Sequence, residues 1–463
     1  MLYRVIDETE APALVAAFME RYEVVAPVKR GDKYVFSAVD SFDEIALDYP
    51  TTIASPKKYL LPAKETLFEF DAENNEVTDY ADEVRPRVLF GVHACDINGL
   101  QNLSSVFNDP RYPDPYYAAH AAATLIVGVA CMPSANCFCN LMDAEEARAA
   151  YDLFLTNIGG RYLVSIGSVV AANILEAACD VREATDEDRI AFRAATRARQ
   201  EAFNRDIPDI QEIPMLMDAF HEDEFWEELG GRCLSCNACA NVCPTCYCFD
   251  IRDALDPGAA TGRRERVWDA CTSPQFAMVA GGHNFRPTPA ARVRHRMYHK
   301  LNGFLAKHDR NLCVGCGRCV SACKVDISPI EVLKLFDQMC IRDRPRPARG
   351  VGEQAVHLLR RHARAGGHRE PVPRLPPHGL LRLARPGARR GGALLRAARG
   401  GRVLRHRLRG EAALGGARRG AHDRGGALLD GRAHPGHRGE VPPTPVGDER
   451  VPGDGGGCRA LGT

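Results

Sequence analysis

The sequence predicts an α+β protein with an N-terminal α/β domain, a mostly helical cysteine-rich module and a C-terminal tail without a core. Three observations predict it. Short β-branched runs flank helical segments in the first half. A dense cysteine pattern occurs twice, at 233–244 and 313–324. Past residue 338 the composition narrows to little more than Arg, Gly, Ala, Leu, Pro and Val. The expected divisions are 1–228, 229–338 and 339–463.

Residues 11–25, APALVAAFMERYEVV, carry apolar positions at helical spacing, and KYVFSAV (33–39) reads as a strand. RVLFGV (87–92) and ATLIVGVAC (123–131) are uninterrupted apolar runs, as in strands buried on both faces. HACDINGLQNLSSVF follows the first, with Asp96 placed to cap a helix. Strand, helix, strand implies parallel pairing. YDLFLTNIGGRYLVSIG (151–167) has the Gly-Gly turn of a hairpin. Residues 169–228 read as helical, with a charged, exposed helix near 184–206.

Formal charge sums to zero over 463 residues, yet residues 1–344 carry −15 and residues 345–463 carry +15. No apolar run approaches the roughly 18 residues a membrane span needs, and no leader peptide is visible. A cytoplasmic protein is expected. Seventeen of the 18 cysteines lie in the first 344 residues. In a reducing compartment such density signals metal ligation rather than disulfides.

CLSCNACANVCP and CVGCGRCVSACK both follow C-x2-C-x2-C-x3-C. Three thiolates at this spacing hold three corners of a cubane, and the fourth cysteine ligates the other cluster. One [4Fe–4S] centre therefore takes Cys233, Cys236, Cys239 and Cys323; the second takes Cys313, Cys316, Cys319 and Cys243. This makes residues 229–338 a two-cluster module of the bacterial-ferredoxin type. Zinc modules space two pairs apart and need no third cysteine three residues on. Lys324 stands where proline follows the first motif; it reads as a solvated lysine, or as a cation that tunes the cluster.

The 69 residues between the motifs hold Cys246, Cys248 and Cys271, read as buried small apolar side chains. The basic run from Arg292 to Lys300 reads as a helix facing water or a partner subunit; without a recognition motif it does not indicate nucleic-acid binding. In the first domain, Cys95 and Cys131 fall at the ends of the two parallel strands, where α/β sheets build sites. With Cys137 and Cys139 they form a further candidate metal site for iron–sulfur or zinc, burial without metal being the alternative. No Ser-His-Asp pattern, P-loop or dinucleotide fingerprint is present, so nothing marks a flavin- or nicotinamide-binding chain.

PKKYLLPAKETLFEF, VLFGVHACDINGL, CFC, GRCLSCNACANVCPTCYCFD, AGGHNFRP, RHRMYHK and CVGCGRCVSAC, in this order, resemble two related groups. These are the iron–sulfur beta subunit of soluble sulfhydrogenase-type NiFe hydrogenases and the A subunit of anaerobic sulfite reductase. The resemblance spans about Lys57 to Phe336. It implies a non-catalytic electron-transfer subunit of an anaerobic oxidoreductase complex. Its partners would be a flavoprotein subunit handling NAD(P)H and a subunit holding a NiFe or sirohaem centre. It also implies that the eight motif cysteines are cluster ligands and keeps Cys95, Cys131, Cys137 and Cys139 as a family feature. The competing reading is a self-contained reductase working at that N-terminal cysteine site.

The tail, 345–463, has 24 Arg and no Lys, Ile, Met, Phe, Tyr, Trp, Asn or Ser. By composition it is disordered and basic. A GC-rich gene read out of frame gives this residue set, and MCIRDR at the junction back-translates to a transposon library adapter. Residues 339–463 are therefore expected to be an artefact, with the natural frame lost near Gln338 and with Cys340 and Cys458 outside the ligand count.

Overall fold

The computed structural model describes residues 2–342, apart from 82–83, 205, 207–211 and 259, and gives side chains as far as residue 339. The expectations for the tail, Cys340 and Cys458 included, fall on side chains outside the described residues.

Strands β1 (Leu2–Asp7), β2 (Glu23–Arg30), β3 (Lys33–Ala38), β4 (Lys64–Asp71), β5 (Glu76–Asp79), β6 (Arg87–His93), β7 (Thr124–Val129), β8 (Leu153–Asn157), β9 (Arg161–Ile166) and β10 (Arg182–Glu183) precede the first cysteine motif. Strands β11 (Phe249–Leu255) and β12 (Thr261–Trp268) lie between the two motifs. Eight strands make one mixed sheet in the order β10-β1-β9-β8-β7-β6-β2-β3. Its centre, β8-β7-β6-β2, is parallel; its flanks are antiparallel.

Alternation along the central strands sends side chains to two cores. Val88, Phe90, Val127 and Leu155 join Leu14 and Phe18 of helix Ala11–Met19 on one face. Leu89, Val92 and Phe154 join Ile97, Leu100 and Leu103 of helix Ala94–Phe107 on the other. The β8–β9 turn carries Gly159 and Gly160, both at positive φ. At Gly91 (φ 76°) the β6–β7 register shifts, and the Gly91 carbonyl accepts from the Tyr49 hydroxyl at 2.8 Å. A side chain there would crowd Pro27 and Leu47. The bulge re-aims the end of β6, where the cysteine-bearing segment begins.

Helix Ala94–Phe107 has His93 as its N-cap residue. Asp96 does not cap it, contrary to the sequence expectation. It sits inside the first turn, fully buried, and accepts two hydrogen bonds from Arg318 at 2.8 and 2.6 Å. An Arg fork from the far end of the chain outcompetes the local backbone for the carboxylate. The charged helix, Asp186–Glu201, is mostly exposed as expected, but Asp188 is buried and held by Arg161 and Arg182.

The cysteine module is mixed rather than mostly helical. β11 and β12 form a hairpin that joins β4 and β5 in a second sheet, order β11-β12-β4-β5, antiparallel throughout. Their charges are satisfied across strands: Arg264 donates to Asp253 at 2.7 and 2.8 Å. Buried Arg266 on β12 reaches Glu65 on β4 at 2.5 Å and Asp114 at 2.6 Å. Helices Phe225–Arg232 and Pro289–Tyr298 cross so closely that a Cβ on Gly230 would lie 2.4 Å from the Ala290 backbone.

Candidate metal centre

Both cysteine motifs start as open loops that run into a short helix, Ala238–Asn241 in the first and Arg318–Ala322 in the second. The two loops share a backbone. The residues two and four after the first cysteine take left-handed φ in each: Ser235 (49°) and Asn237 (63°), Gly315 (61°) and Gly317 (74°). This curl turns amides toward sulfur, with Ser235 N–H to Cys233 Sγ at 3.4 Å and Gly315 N–H to Cys313 Sγ at 3.5 Å. Such bonds favour the thiolate and belong to the tuning of thiolate-held clusters.

The chemistry of the loops differs because their surroundings do. A Cβ on Gly315 would lie 2.4 Å from the Phe138 carbonyl oxygen, and one on Gly317 2.3 Å from that of Asn136. The Cys137–Cys139 segment packs there, with Phe138 N–H donating to Gly315 O at 2.8 Å. In the first loop the two side chains have partners instead: Ser235 Oγ accepts from Arg292 at 3.1 Å and Asn237 Oδ1 from Thr272 at 2.8 Å. Exchanging the pairs tests this. Gly315→Ser with Gly317→Asn should abolish loading of the second site, whereas Ser235→Gly with Asn237→Gly should leave iron content unchanged, both read by iron analysis.

Cys233, Cys236, Cys239 and Cys323 line one small cavity together with Val293, Arg296 and Met297. The fourth cysteine of the second motif is thus brought to the first three of the first motif. Ile327 N–H also points at Cys323 Sγ, at 3.3 Å. Reciprocally, Cys243 is an electrostatic neighbour of Cys313, Cys316 and Cys319 alike. Burial raises those three thiols, Cys313 to about 11 and Cys316 to about 12, so loading a metal there must release protons. Lys324 is exposed at the rim of the first cavity.

Among the described residues no three His, Cys, Asp or Glu side chains could hold a single metal ion. A cubane carries its four thiolates on four separate irons, and all-thiol donor sets wrapped by curled loops fit it. When bound, such a group takes up and gives back electrons singly.

Residues 232–327 match the model of a 4Fe-4S dicluster domain. The chain is also 36% identical over 335 residues to sulfhydrogenase 2 subunit beta of Pyrococcus furiosus, a match covering 72% of this chain and 98% of that protein. The chain belongs to the sulfhydrogenase beta-subunit family. No solved structure matches it.

In this member of the sulfhydrogenase beta-subunit family, the N-terminal cysteines also converge. Cys137 and Cys139 have sulfurs 3.4 Å apart, and Cys139 has Cys95 and Cys131 as further neighbours. Cys95 and Cys131 do lie just beyond β6 and β7, at the carboxyl edge of the sheet. Cys95 neighbours Cys316 as well, so this group borders the second motif. A cavity of about 620 Å³ opens beside Cys131, lined by Arg148, Tyr151 and Arg199 among others.

The basic helix is the main correction. Arg292, Arg296 and Lys300 are at most 4% exposed; Arg296 and Lys300 lie among the cysteines, and Arg292 donates to Ser235 Oγ of the first cysteine loop at 3.1 Å, rather than to water or a partner. Arg296 donates to Cys239 O at 2.8 Å and to Cys246 Sγ at 3.2 Å. Lys300 donates to Thr245 Oγ1 at 2.7 Å. Their spacing, i, i+4, i+8, is that of one buried helical stripe and could have been read as such. Lys57, also buried, reaches the Cys246 carbonyl at 2.7 Å from the other side; no local pattern points to it.

Proposed function

We propose that the chain is a non-catalytic electron-transfer subunit carrying two [4Fe–4S] clusters. It relays electrons between a flavin- and NAD(P)H-binding subunit and a NiFe or sirohaem catalytic subunit of a cytoplasmic hydrogenase or sulfite/sulfur reductase complex. The observation that carries this is the sharing of ligands. Cys233, Cys236 and Cys239 line a cavity with Cys323, while Cys243 keeps company with Cys313, Cys316 and Cys319.

The chain's own residues do three things in this reading. The motif cysteines fix both centres on one rigid frame, so that electrons pass between neighbours without a conformational step. Leu229, Val293, Met297, Val314 and Ile327 wall that frame with apolar side chains, which excludes water. Arg296 and Lys300 set fixed positive charge between the two ligand sets. The sulfhydrogenase relative supports membership of a hydrogenase complex. No helix among the described residues is long and apolar enough to cross a membrane.

Anaerobically reconstituted protein is expected to show two interacting [4Fe–4S]⁺ EPR signals on reduction. Cys239→Ala and Cys323→Ala are expected to perturb the same signal, since they share a cavity. Absence of iron–sulfur absorption would overturn the relay reading.

The N-terminal set, Cys95, Cys131, Cys137 and Cys139, is proposed as a further iron–sulfur site bordering the second motif. The cavity beside Cys131 favours one second reading, a self-contained reductase that binds a small anion near Arg148 and Arg199. Turnover of sulfite or polysulfide by the chain alone with an artificial electron donor supports that reading; inactivity without partners sinks it.

A further inference from the structure

The two cysteine loops share a backbone but not an environment. Leu234, in the first, is 64% exposed; Val314, at the same place in the second, is 4% exposed. Among the motif cysteines Cys236 is exposed, Cys243 is buried and the others are half-buried. The second loop is covered by the Cys137–Cys139 segment. The first ligand set therefore reaches the surface at Leu234 and Cys236.

A hairpin is fastened beside that edge. Within Thr272–Pro287, Met278 and Asn284 pair antiparallel, and Phe285 N–H donates to Ala277 O at 3.1 Å. Gly281 and Gly282, at φ 87° and 80°, close the tip. Both ends are tied to the first cysteine loop. Thr272 donates to Asn237 Oδ1 at 2.8 Å. Arg292 donates to Pro287 O at 2.8 Å, to Arg286 O at 3.2 Å and to Ser235 Oγ at 3.1 Å. A hairpin braced in this way is ordered before a partner arrives, which lowers the cost of binding.

What the hairpin displays is apolar. Phe285 is 67% exposed, Met278 48% and Val279 47%. A single exposed apolar residue is ordinary, but a group of large ones marks an interaction surface. The charge here also differs from the rest of the chain. Residues 233–248 and 270–287 contain no Asp or Glu, although the chain up to residue 344 is net acidic. Arg286 on the hairpin and Lys324 at the rim of the first cavity form no ion pair among the described residues.

We infer that Leu234 and Cys236, framed by the Thr272–Pro287 hairpin, are the seat of a permanently bound redox subunit, and that electrons enter or leave the first centre there. The partner's face is apolar at its middle, to cover Leu234, Met278 and Phe285, and carries carboxylates at its rim, opposite Arg286 and Lys324. An apolar middle with a charged rim is the anatomy of a lasting interface rather than of a passing electron carrier. The partner's own one-electron centre lies close behind that face, because electron transfer weakens steeply with distance. Each crossing oxidises one centre and reduces the other by a single electron, and no bond is made or broken. The inference rests on the relay reading, which supplies the first centre and the complex.

The first test compares hydrogen exchange in the reconstituted full chain and in the intact multi-subunit complex. Peptides spanning 233–238 and 276–286 are expected to exchange about tenfold more slowly in the complex. Equal exchange overturns the inference. So does slow exchange in the free chain that is lost on dilution, which marks a second copy of this chain as the occupant. The second test places Met278→Asp with Phe285→Asp in the complex. The pair is expected to slow, by about tenfold, either cluster reduction by NAD(P)H or electron exchange with dihydrogen or sulfite, or to release the subunit responsible. Iron content and reduction by dithionite should hold. Val169→Asp, at another exposed apolar residue, is the control and should change nothing. A double variant that matches this control overturns the inference. A native complex in which dithionite alone reduces this chain's clusters overturns the relay reading instead.

Discussion

Replacing Arg296 with Met is expected to lower the midpoint potential of at least one cluster by about 90 mV without loss of iron. The Arg296 guanidinium is buried, touches Cys246 Sγ and Cys239 O, and has Cys239, Cys243 and Cys319 among its neighbours. It therefore acts on ligands of both motif sets. Reduction adds negative charge, which a fixed cation stabilises; removing the cation makes the reduced state less favourable and the potential more negative. At roughly 8 Å and an effective dielectric of about 20, one unit charge contributes about 2 kcal/mol, or about 90 mV for one electron. Arg296 is not itself a ligand, so iron content should hold. Arg296→Lys keeps the charge and should recover most of the potential, which separates electrostatics from lost packing. Spectroelectrochemical titration of the three proteins makes the measurement, and equal potentials in all of them would remove Arg296 from the account.

Arg318→Ala should cost about 3–5 kcal/mol of stability, the typical penalty for stripping one partner from a buried ion pair. Arg318 and Asp96 are both essentially inaccessible, and the fork is completed by Thr52, whose carbonyl and hydroxyl accept at 2.9 and 3.0 Å. The pair ties the second cysteine loop to the helix after β6. Removing the cation leaves Asp96 charged and buried beside Cys95. Replacing both, with Arg318→Met and Asp96→Leu, removes the orphaned charge and should recover a large part of the loss. Chemical denaturation of the apo-protein, followed by circular dichroism, reports both values. A double variant no more stable than the single would show that packing around Arg318, not its charge pair, holds the loop.

Much of this architecture could be read from residues in order. Periodicity and β-branching located β6 and β7 and their parallel pairing, and Gly159-Gly160 located the β8–β9 hairpin, because those signals are local. The motif spacing likewise names eight thiols before any geometry, and Cys323 of the second motif does line one cavity with Cys233, Cys236 and Cys239 of the first. What stayed hidden depended on distant partners. Asp96 looked like a cap because its true partner, Arg318, is 222 residues away. β11 and β12 carry charged residues at seven of their fifteen positions, so neither alternation nor apolar runs mark them; their cross-strand ion pairs and the β4 ladder make them strands. The basic run that holds Arg296 and Lys300 reads as facing water or a partner subunit because cations are almost always exposed unless paired. Arg296 instead bonds a cysteine sulfur and a carbonyl and Lys300 a hydroxyl, with thiols as near neighbours, partners that charge patterning does not consider.

The second sheet has a practical corollary. β12 binds β4 along seven register positions, from Thr261–Asp71 to Val267–Lys64, so the boundary at 228/229 is crossed by a backbone ladder as well as by the peptide chain. A gene cut at that point would not release two independent parts. It would bare one long strand edge on each fragment and break the Arg266 clasp. The electron-carrying half of this protein is therefore not a cassette that can be lifted out, swapped between relatives or grafted onto another scaffold without β4 and β5 travelling with it.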